Sequence, residues 1–530
     1  SGALIKAGAG NWTLSAASIY SGQTNINGGV LTISHADALG SSAAGTTIAT
    51  GAELRLTGGI ILSSEAITLN GQGVSAAGAL RSSAGSNTVS SAITLASAAR
   101  INSDAATLIL SGGVSSTDQG MTIGGAGNVT VSTIGLSLGT GGLTKDGLGI
   151  LTLTSANSFT GATLISAGTL TAASGALAGT SGITVNGATL TAVNVNAAAT
   201  LTLNATGLAT ISAVDQTVGA VTNANATDAN ALNFTASTGT VTLASLSGAG
   251  KTTFGSAATV TGAISDGVVN VTGALIAGSV TGGTNAITGA ATVTTVNGGT
   301  TTVGGVATVT TLTTGTLTFN GASGSIGTLT DGTFNLNGAA ATVGTLSAGT
   351  INLAASTALT VDSGTFSGSL AGSGSLIKAT SGILTLTGAN ASFTGSTTIN
   401  AGELIIQHAD SLGTSAITVA SGAILDLGGL SITNAITATP DRIRNGPTAA
   451  SPAVVAALSG TNSINTVLTG TTGLAKDGSG ELSLTTPNFF TGAVTANIAG
   501  AVIKAAFLSD ASSSLGASDL SVPSNLTLGS

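Results

Sequence analysis

The strongest constraint on this chain is short period-two alternation that glycine interrupts every few residues. In Gly149-Ile150-Leu151-Thr152-Leu153-Thr154 and Thr316-Leu317-Thr318-Phe319-Asn320-Gly321, apolar residues alternate with polar ones and the run then stops. Such alternation predicts strands of about four to six residues joined by tight turns. Thr and Val favour strands, and Gly, Asn-Gly and Asp-Gly supply the turns. No helical stripe is present, and the Ala-rich stretch 170–180 lacks charge pairs and caps. The chain keeps this one texture over 530 residues without an obvious linker, whereas a single globular core stops growing near about 250–300 residues. Repetition resolves the conflict, because stacked strand-turn units bury a face that none buries alone. The expectation is one continuous all-β solenoid over 1–530. At roughly 20–25 residues per coil and about 4.8 Å per stacked strand, it would be a rod on the order of 100–125 Å long.

Composition removes the competing classes. Charged residues make up 6% of the chain, about a quarter of the usual share. Lys and Arg number 11 against 19 acids, net −8, so the basic face of a nucleic-acid binder is missing. Five prolines exclude collagen, and 42% apolar content excludes a disordered linker. Without cysteine there is no disulfide framework and no Cys-ligated metal. Mean hydropathy is positive, but no stretch approaches the about 18 consecutive apolar residues of a membrane helix. The chain begins at Ser1 without a basic-plus-apolar leader, which is expected of a mature or excised product.

A longer unit recurs from Leu4, Leu143, Leu376 and Leu474, over about 4–40, 143–179, 376–413 and 474–500. The second copy reads LTKDGLGILTLTSANSFTGATLISAGTLTAASGALAG and the third LIKATSGILTLTGANASFTGSTTINAGELIIQHADSLG. Lys6, Lys145, Lys378 and Lys476 are equivalent. So are the aromatics Tyr20, Phe159, Phe393 and Phe490, each two residues before Gly22, Gly161, Gly395 and Gly492. Trp12 stands where the other copies have Leu151, Leu384 and Leu482.

The string L-x-K-x-G-x-G-x-L-x-L-T, then N-x-F-T-G, then T-x-I-x-A-G-x-L resembles the autotransporter-associated β-strand repeat, or passenger-associated transport repeat, of bacterial type V secreted proteins. The first copy departs with Ser18 and Tyr20 for Asn and Phe, and the third carries one extra residue before Phe393. The resemblance implies a right-handed parallel β-helix on a bacterial surface, exported by a membrane β-barrel that this sequence does not contain. Residues 438–452, with three of the five prolines, read as a loop excursion, and 501–530 as an end region of mixed pattern.

Candidate chemistry is sparse. His35 and His408 recur in His-Ala-Asp-x-Leu-Gly strings with Asp37 and Asp410. A triad needs a nucleophile that the spacing does not specify, so each His–Asp pair reads as the close of a turn. Two distant histidines cannot supply three or four zinc ligands. Glycan-cleaving solenoids need clustered carboxylates. Here acids are scattered singly, and only stacking would join Glu53, Glu65 and Arg55. The Asp-Gly pairs read as turns, and Lys145-Asp146 and Lys476-Asp477 as exposed turn charges of little weight. The expectation is no catalytic residue, no metal and no cofactor.

Function is then expected to be structural. The repeat starts at Leu4 without a polar cap and Ser524–Leu528 is still strand-like. Uncapped solenoid edges pair with further chains. Self-assembly into an extracellular filament or layer therefore leads, with the chain itself as partner. The alternative is an adhesin passenger or stalk that binds host, abiotic or neighbouring-cell surfaces. A polysaccharide-degrading enzyme rests on fold analogy alone.

Overall fold

Strand after strand pairs with the one a coil later, in register and parallel. The computed structural model describes residues 2–428 apart from Ser64 and Ser421, and then short segments between 430 and 505. The fold class is a parallel β-solenoid. Among the described residues there is no α-helix, only a three-residue 3-10 turn at Val74–Ala76. The chain divides into two units, 1–277 and 278–530, and each is built as follows.

In the first unit the strand Leu4–Lys6 pairs with Thr24–Ile26, which pairs with Thr46–Ile48, which pairs with Ile67–Gly71. A second run goes from Ile150–Leu153 through Thr169–Ala172, Thr189–Ala192 and Leu208–Ile211 to Leu232–Phe234 and Lys251–Phe254. The register sorts residues into columns. Leu151, Leu170, Leu190, Ala209 and Leu232 stack inward and are buried, while Thr152, Thr171, Thr191, Thr210 and Asn233 stack outward. Parallel coils about 4.8 Å apart leave little lateral room, so most positions in an inward column hold a single aliphatic type. Where aromatics enter they share a site, as with Phe234 and Phe254, whose rings stack at 5.1 Å.

In the second unit the coils shorten. Thr284 pairs with Thr300 and Ala291 with Ala307, sixteen residues on; Thr316 pairs with Thr333 and Thr333 with Thr350, seventeen residues on. Two thirteen-residue strands, Ala291–Val303 and Ala307–Phe319, each run through a register shift instead of breaking into a loop. The strand Ala307–Phe319 points five side chains inward: Ala307, Val309, Leu312, Leu317 and Phe319. Further on, Leu474 pairs with Val494 and Glu481 with Val502, so the fourth repeat also sits in parallel sheets. Gly492, nearly all of 438–452, and 501–530 apart from Val502–Ala505 lie outside the described residues.

The repeat glycines mark where coils touch. A Cβ on Gly22 would lie 2.4 Å from the Gly2 carbonyl oxygen, on Gly161 2.4 Å from that of Gly141, and on Gly395 1.7 Å from that of Gly374. These glycines are required by close backbone approach, since none has a positive φ. Gly161→Ala should therefore lower the unfolding free energy by about 1–3 kcal/mol, the range for overpacking. Gly10→Ala, whose Cβ meets nothing within 4 Å, should change it little. Denaturant melts of the two variants check this.

Candidate functional site

The four equivalent lysines are the most unusual feature of the repeat, and three have described side chains. Lys6, Lys145 and Lys378 are 0%, 2% and 0% exposed. This corrects the expectation of an exposed turn charge at Lys145. Each occupies an inward column position: Lys145 stacks between Ile123 and Ile165, and Lys378 between Val361 and Ile399. Burial is tolerated because the ammonium finds carbonyl oxygens. Lys6 Nζ donates to Ala7 (3.3 Å), Gly8 (2.8 Å) and Gly28 (2.8 Å). Lys145 Nζ donates to Asp146 (2.7 Å), Gly147 (2.7 Å) and Ala167 (3.1 Å). Lys378 Nζ donates to the carbonyls of Thr380 and Ala401.

In every case the acceptors come from the turn of the lysine's own coil and from the matching turn of the next coil. An ammonium has three donors, and in Lys6 and Lys145 all three are used. The turns converge because glycine allows it. Gly168 has φ +67, and a Cβ there would lie 2.5 Å from the Gly147 carbonyl oxygen. The lysine is thus a clamp between stacked turns, its ammonium shared by carbonyls of two coils. Burial pushes the Lys145 ammonium down to about 8, opposed by nearby Asp146 and reinforced by Arg100. Burial lowers Lys378 as well, and Asp362 opposes it.

The aromatic position is bracketed by glycine. Phe159 and Phe393 are fully buried, and a Cβ on Gly179 or Gly413, one coil later, would strike their carbonyl oxygens at 2.4 and 2.1 Å. Tyr20 is partly exposed and its hydroxyl meets Thr24 Oγ1 at 2.6 Å. Phe490 lies on the strand Phe489–Phe490, with Gly470 opposite, and Lys476 on Leu474–Asp477, with Ala496 opposite.

The Asn of the N-x-F string is a bridge that the sequence named only as a motif letter. Asn157 Oδ1 accepts from Leu136 N–H (2.6 Å) one coil back, and its Nδ2 donates to the Ala176 carbonyl (2.7 Å) one coil on. Asn390 repeats this with Leu370 N–H and the Ser411 carbonyl, both at 2.7 Å. In the first copy Ser18 stands there, and its backbone N–H donates to the Asp37 carbonyl at 2.9 Å. The signal available was an amide two or three residues before a buried aromatic.

The histidines close turns as read. Asp37 N–H donates to His35 Nδ1, and Asp410 N–H to His408 Nδ1, both at 3.1 Å. The side-chain carboxylates lie 3.9 Å from the same nitrogens. Ser411 Oγ donates to the Leu386 and Gly388 carbonyls (3.2 and 3.0 Å), a direction that serves the backbone and not His408.

Glu53 and Arg55 meet along one strand, Ala52–Thr57, with Arg55 Nε donating to Glu53 Oε1 at 2.7 Å. Stacking adds groups that sequence spacing hid. Arg81 stacks on Arg55, lies 3.7 Å from Glu53 Oε1, and pairs with Asp104 at 2.8 Å. Asn102 connects Asp104 to Arg100, and Arg100 makes a bidentate pair with Asp146 (2.6 and 2.8 Å). Asp146 in turn offers its backbone carbonyl to the Lys145 clamp. This ladder crosses Gly124, where a Cβ would fall 1.9 Å from Asp146 Oδ1 and 2.5 Å from Arg100 Nη2. Each carboxylate faces a guanidinium. Glu53 is fully buried and its Oε2 has no hydrogen-bond partner, so attraction to two guanidiniums stands in for a second bond. Glu65 is bonded to Thr46 instead, and burial raises its carboxyl above the ordinary value. Among the described residues no group of three or more His, Asp or Glu gathers as a metal site.

Comparison with known proteins agrees with this architecture. The passenger-associated-transport-repeat family model matches residues 4–33, 143–172, 376–406 and 474–502. No curated protein matches the chain, and no solved structure matches it. The chain therefore carries four passenger-associated transport repeats on a β-solenoid, which fits an autotransporter passenger. Such repeats imply secretion to the cell surface. Among the described residues no helix is long and apolar enough to cross a membrane.

Two titrations follow. Lys145→Met keeps the stem but strands three carbonyls, and should cost about 2–4 kcal/mol near pH 7. Between pH about 8 and 10.5 the unfolded chain holds more protons on Lys145 than the folded one. Stability of the wild type should therefore rise with pH across that window relative to Lys145→Met. Glu65 has the opposite profile. Its raised folded value gives a contribution that is full below the unfolded value of 4.5 and is lost as pH rises through the folded value. Glu65→Gln should match the wild type near pH 4 and melt higher at pH 7.5. Melting curves over pH 4–10.5 check both.

Proposed function

We propose that this chain is a non-enzymatic adhesive passenger, which holds a cell to a surface through the outward face of its coils. The observation that carries the reading is the unbroken outward rank of the first unit. It runs from Thr130 through Thr152, Thr171, Thr191 and Thr210 to Asn233 and Thr253, every residue paired with its neighbour in register. Hydroxyls and amides repeated at the coil spacing make many identical weak contacts, and their summed avidity exceeds that of any one contact by orders of magnitude. The interior columns are filled by side chains, and the charged groups of the first unit's ladder are paired with one another. That disposition supports attachment over turnover.

The test displays the chain on a bacterial surface from a host translocator barrel, with the barrel alone as control. Attachment to protein- or glycan-coated surfaces should rise at least fivefold, with cells staying dispersed in suspension. Clumping of cells without attachment would instead establish self-assembly and overturn adhesion.

A further inference from the structure

We propose that the outward face of the second unit between Thr284 and Asn352 binds uncharged polysaccharide. The inference deepens the adhesive reading by naming a ligand class, and it rests on that reading.

Three independent observations converge on this face. The first is charge. From Gly278 to Val361 the sequence holds one charged residue, Asp331. That residue sits in an exposed turn, where its carboxylate accepts from the Gly332 N–H at 2.7 Å, off the strand face. An average stretch of this length would carry roughly a quarter charged residues. A face without charge has no attraction for nucleic acid, anionic lipid or acidic glycan, and loses nothing on meeting a neutral partner.

The second is relief. The coils here are short, sixteen or seventeen residues. A coil so short has no residues to spare for a projecting loop, so neighbouring strands present a level surface to an extended ligand.

The third is chemistry. Thr316 and Thr333 form one outward rank, and Thr302, Thr318, Asn335 and Asn352 the other. Asn335 Nδ2 donates to Thr318 Oγ1 (3.2 Å), and Asn352 Nδ2 donates to Asn335 Oδ1 (2.8 Å). This ladder fixes the amide planes in advance, which lowers the ordering cost of binding. It uses two of the four bonding positions of Asn335. Hydroxyl and amide groups both donate and accept, and the sugar hydroxyls of a neutral glycan do the same. The large apolar side chains on these strands, Leu317, Phe319 and Phe334, point inward, so ring stacking is not the mode of binding. Affinity per sugar is accordingly low, and length of contact supplies the avidity.

The experiment is co-sedimentation of the intact chain with microcrystalline cellulose, an uncharged polysaccharide, at 0.05 and 0.5 M NaCl. Binding should be retained at high salt within twofold. The double variant Thr318→Lys/Asn335→Lys places charge on the face without entering the core, and should lose at least fivefold. Thr117→Lys, at an exposed bend of the first unit that belongs to neither outward rank, should retain binding and serves as the control for a non-specific effect of added lysine. Circular dichroism and melting confirm that each variant is folded. If the double variant misfolds, Asn352→Asp replaces it, with the same expected loss. No sedimentation, loss of binding in salt, or full binding by the folded double variant each overturns the proposal. Attachment of displaying cells to protein-coated surfaces without cellulose binding would overturn this inference and leave the adhesive reading standing.

Discussion

Both units depend on one constraint: each coil hydrogen-bonds to the next at the parallel-strand spacing of about 4.8 Å. At that distance a residue's nearest neighbours are its own equivalents one coil away. Identity of column follows, as in Leu151, Leu170 and Leu190. So does the demand for glycine wherever two turns meet, as at Gly161 against Gly141. The same constraint accounts for the small side chains and the few rings: a ring inside must lie against a neighbouring ring or against aliphatic residues, as Phe234 does against Phe254.

Stacking also creates a difficulty that the repeat has to answer. Tight turns aim carbonyl oxygens toward the interior, and an unpaired buried carbonyl costs about 1–3 kcal/mol. A lysine in an inward column answers it with one side chain serving two coils. The desolvation that drives Lys145 down to about 8 is the cost of this device, and it stays bounded because the ammonium keeps three acceptors. Asn157 and Asn390 solve the matching problem at the aromatic corner, where a backbone N–H and a carbonyl from different coils both need a partner. Polar residues inside this solenoid are thus connectors, and their spacing in sequence is the coil length.

The strand pattern, the parallel solenoid and the starts of the four repeats were legible because alternation, glycine and the four leucines are local signals. The His–Asp turns were legible for the same reason. The lysines were misread. A charge beside Asp-Gly looks like a turn on the surface, and nothing local reveals that the acceptors at Gly28 and Ala167 lie about twenty residues on. The ladder from Glu53 to Asp146 was half legible: Glu53 and Arg55 are neighbours on one strand, whereas Arg81, Asp104 and Arg100 arrive through coils of unequal length. Register across a coil of variable length is non-local, and Gly124 acquires its meaning only once Arg100 and Asp146 pass over it.

The stretch from Glu53 to Asp146 of the first unit and that from Gly278 to Val361 of the second differ in charge, and that contrast bears on function. In the first, an ion-pair ladder ties coils whose lengths vary, where Ile67 meets Ile93 twenty-six residues later. Irregular coils leave register less determined by repetition, and paired charges restore specificity because a slipped register would bury them unpaired. Between Thr284 and Thr350 of the second, near-uniform coils fix register through their columns and need no ionic lock, so the outward positions are free to be neutral. A face that repeats every sixteen or seventeen residues without charge cannot discriminate by electrostatics. What it offers instead is spacing and bonding capacity, and the proposed neutral glycan is the ligand class that can use both.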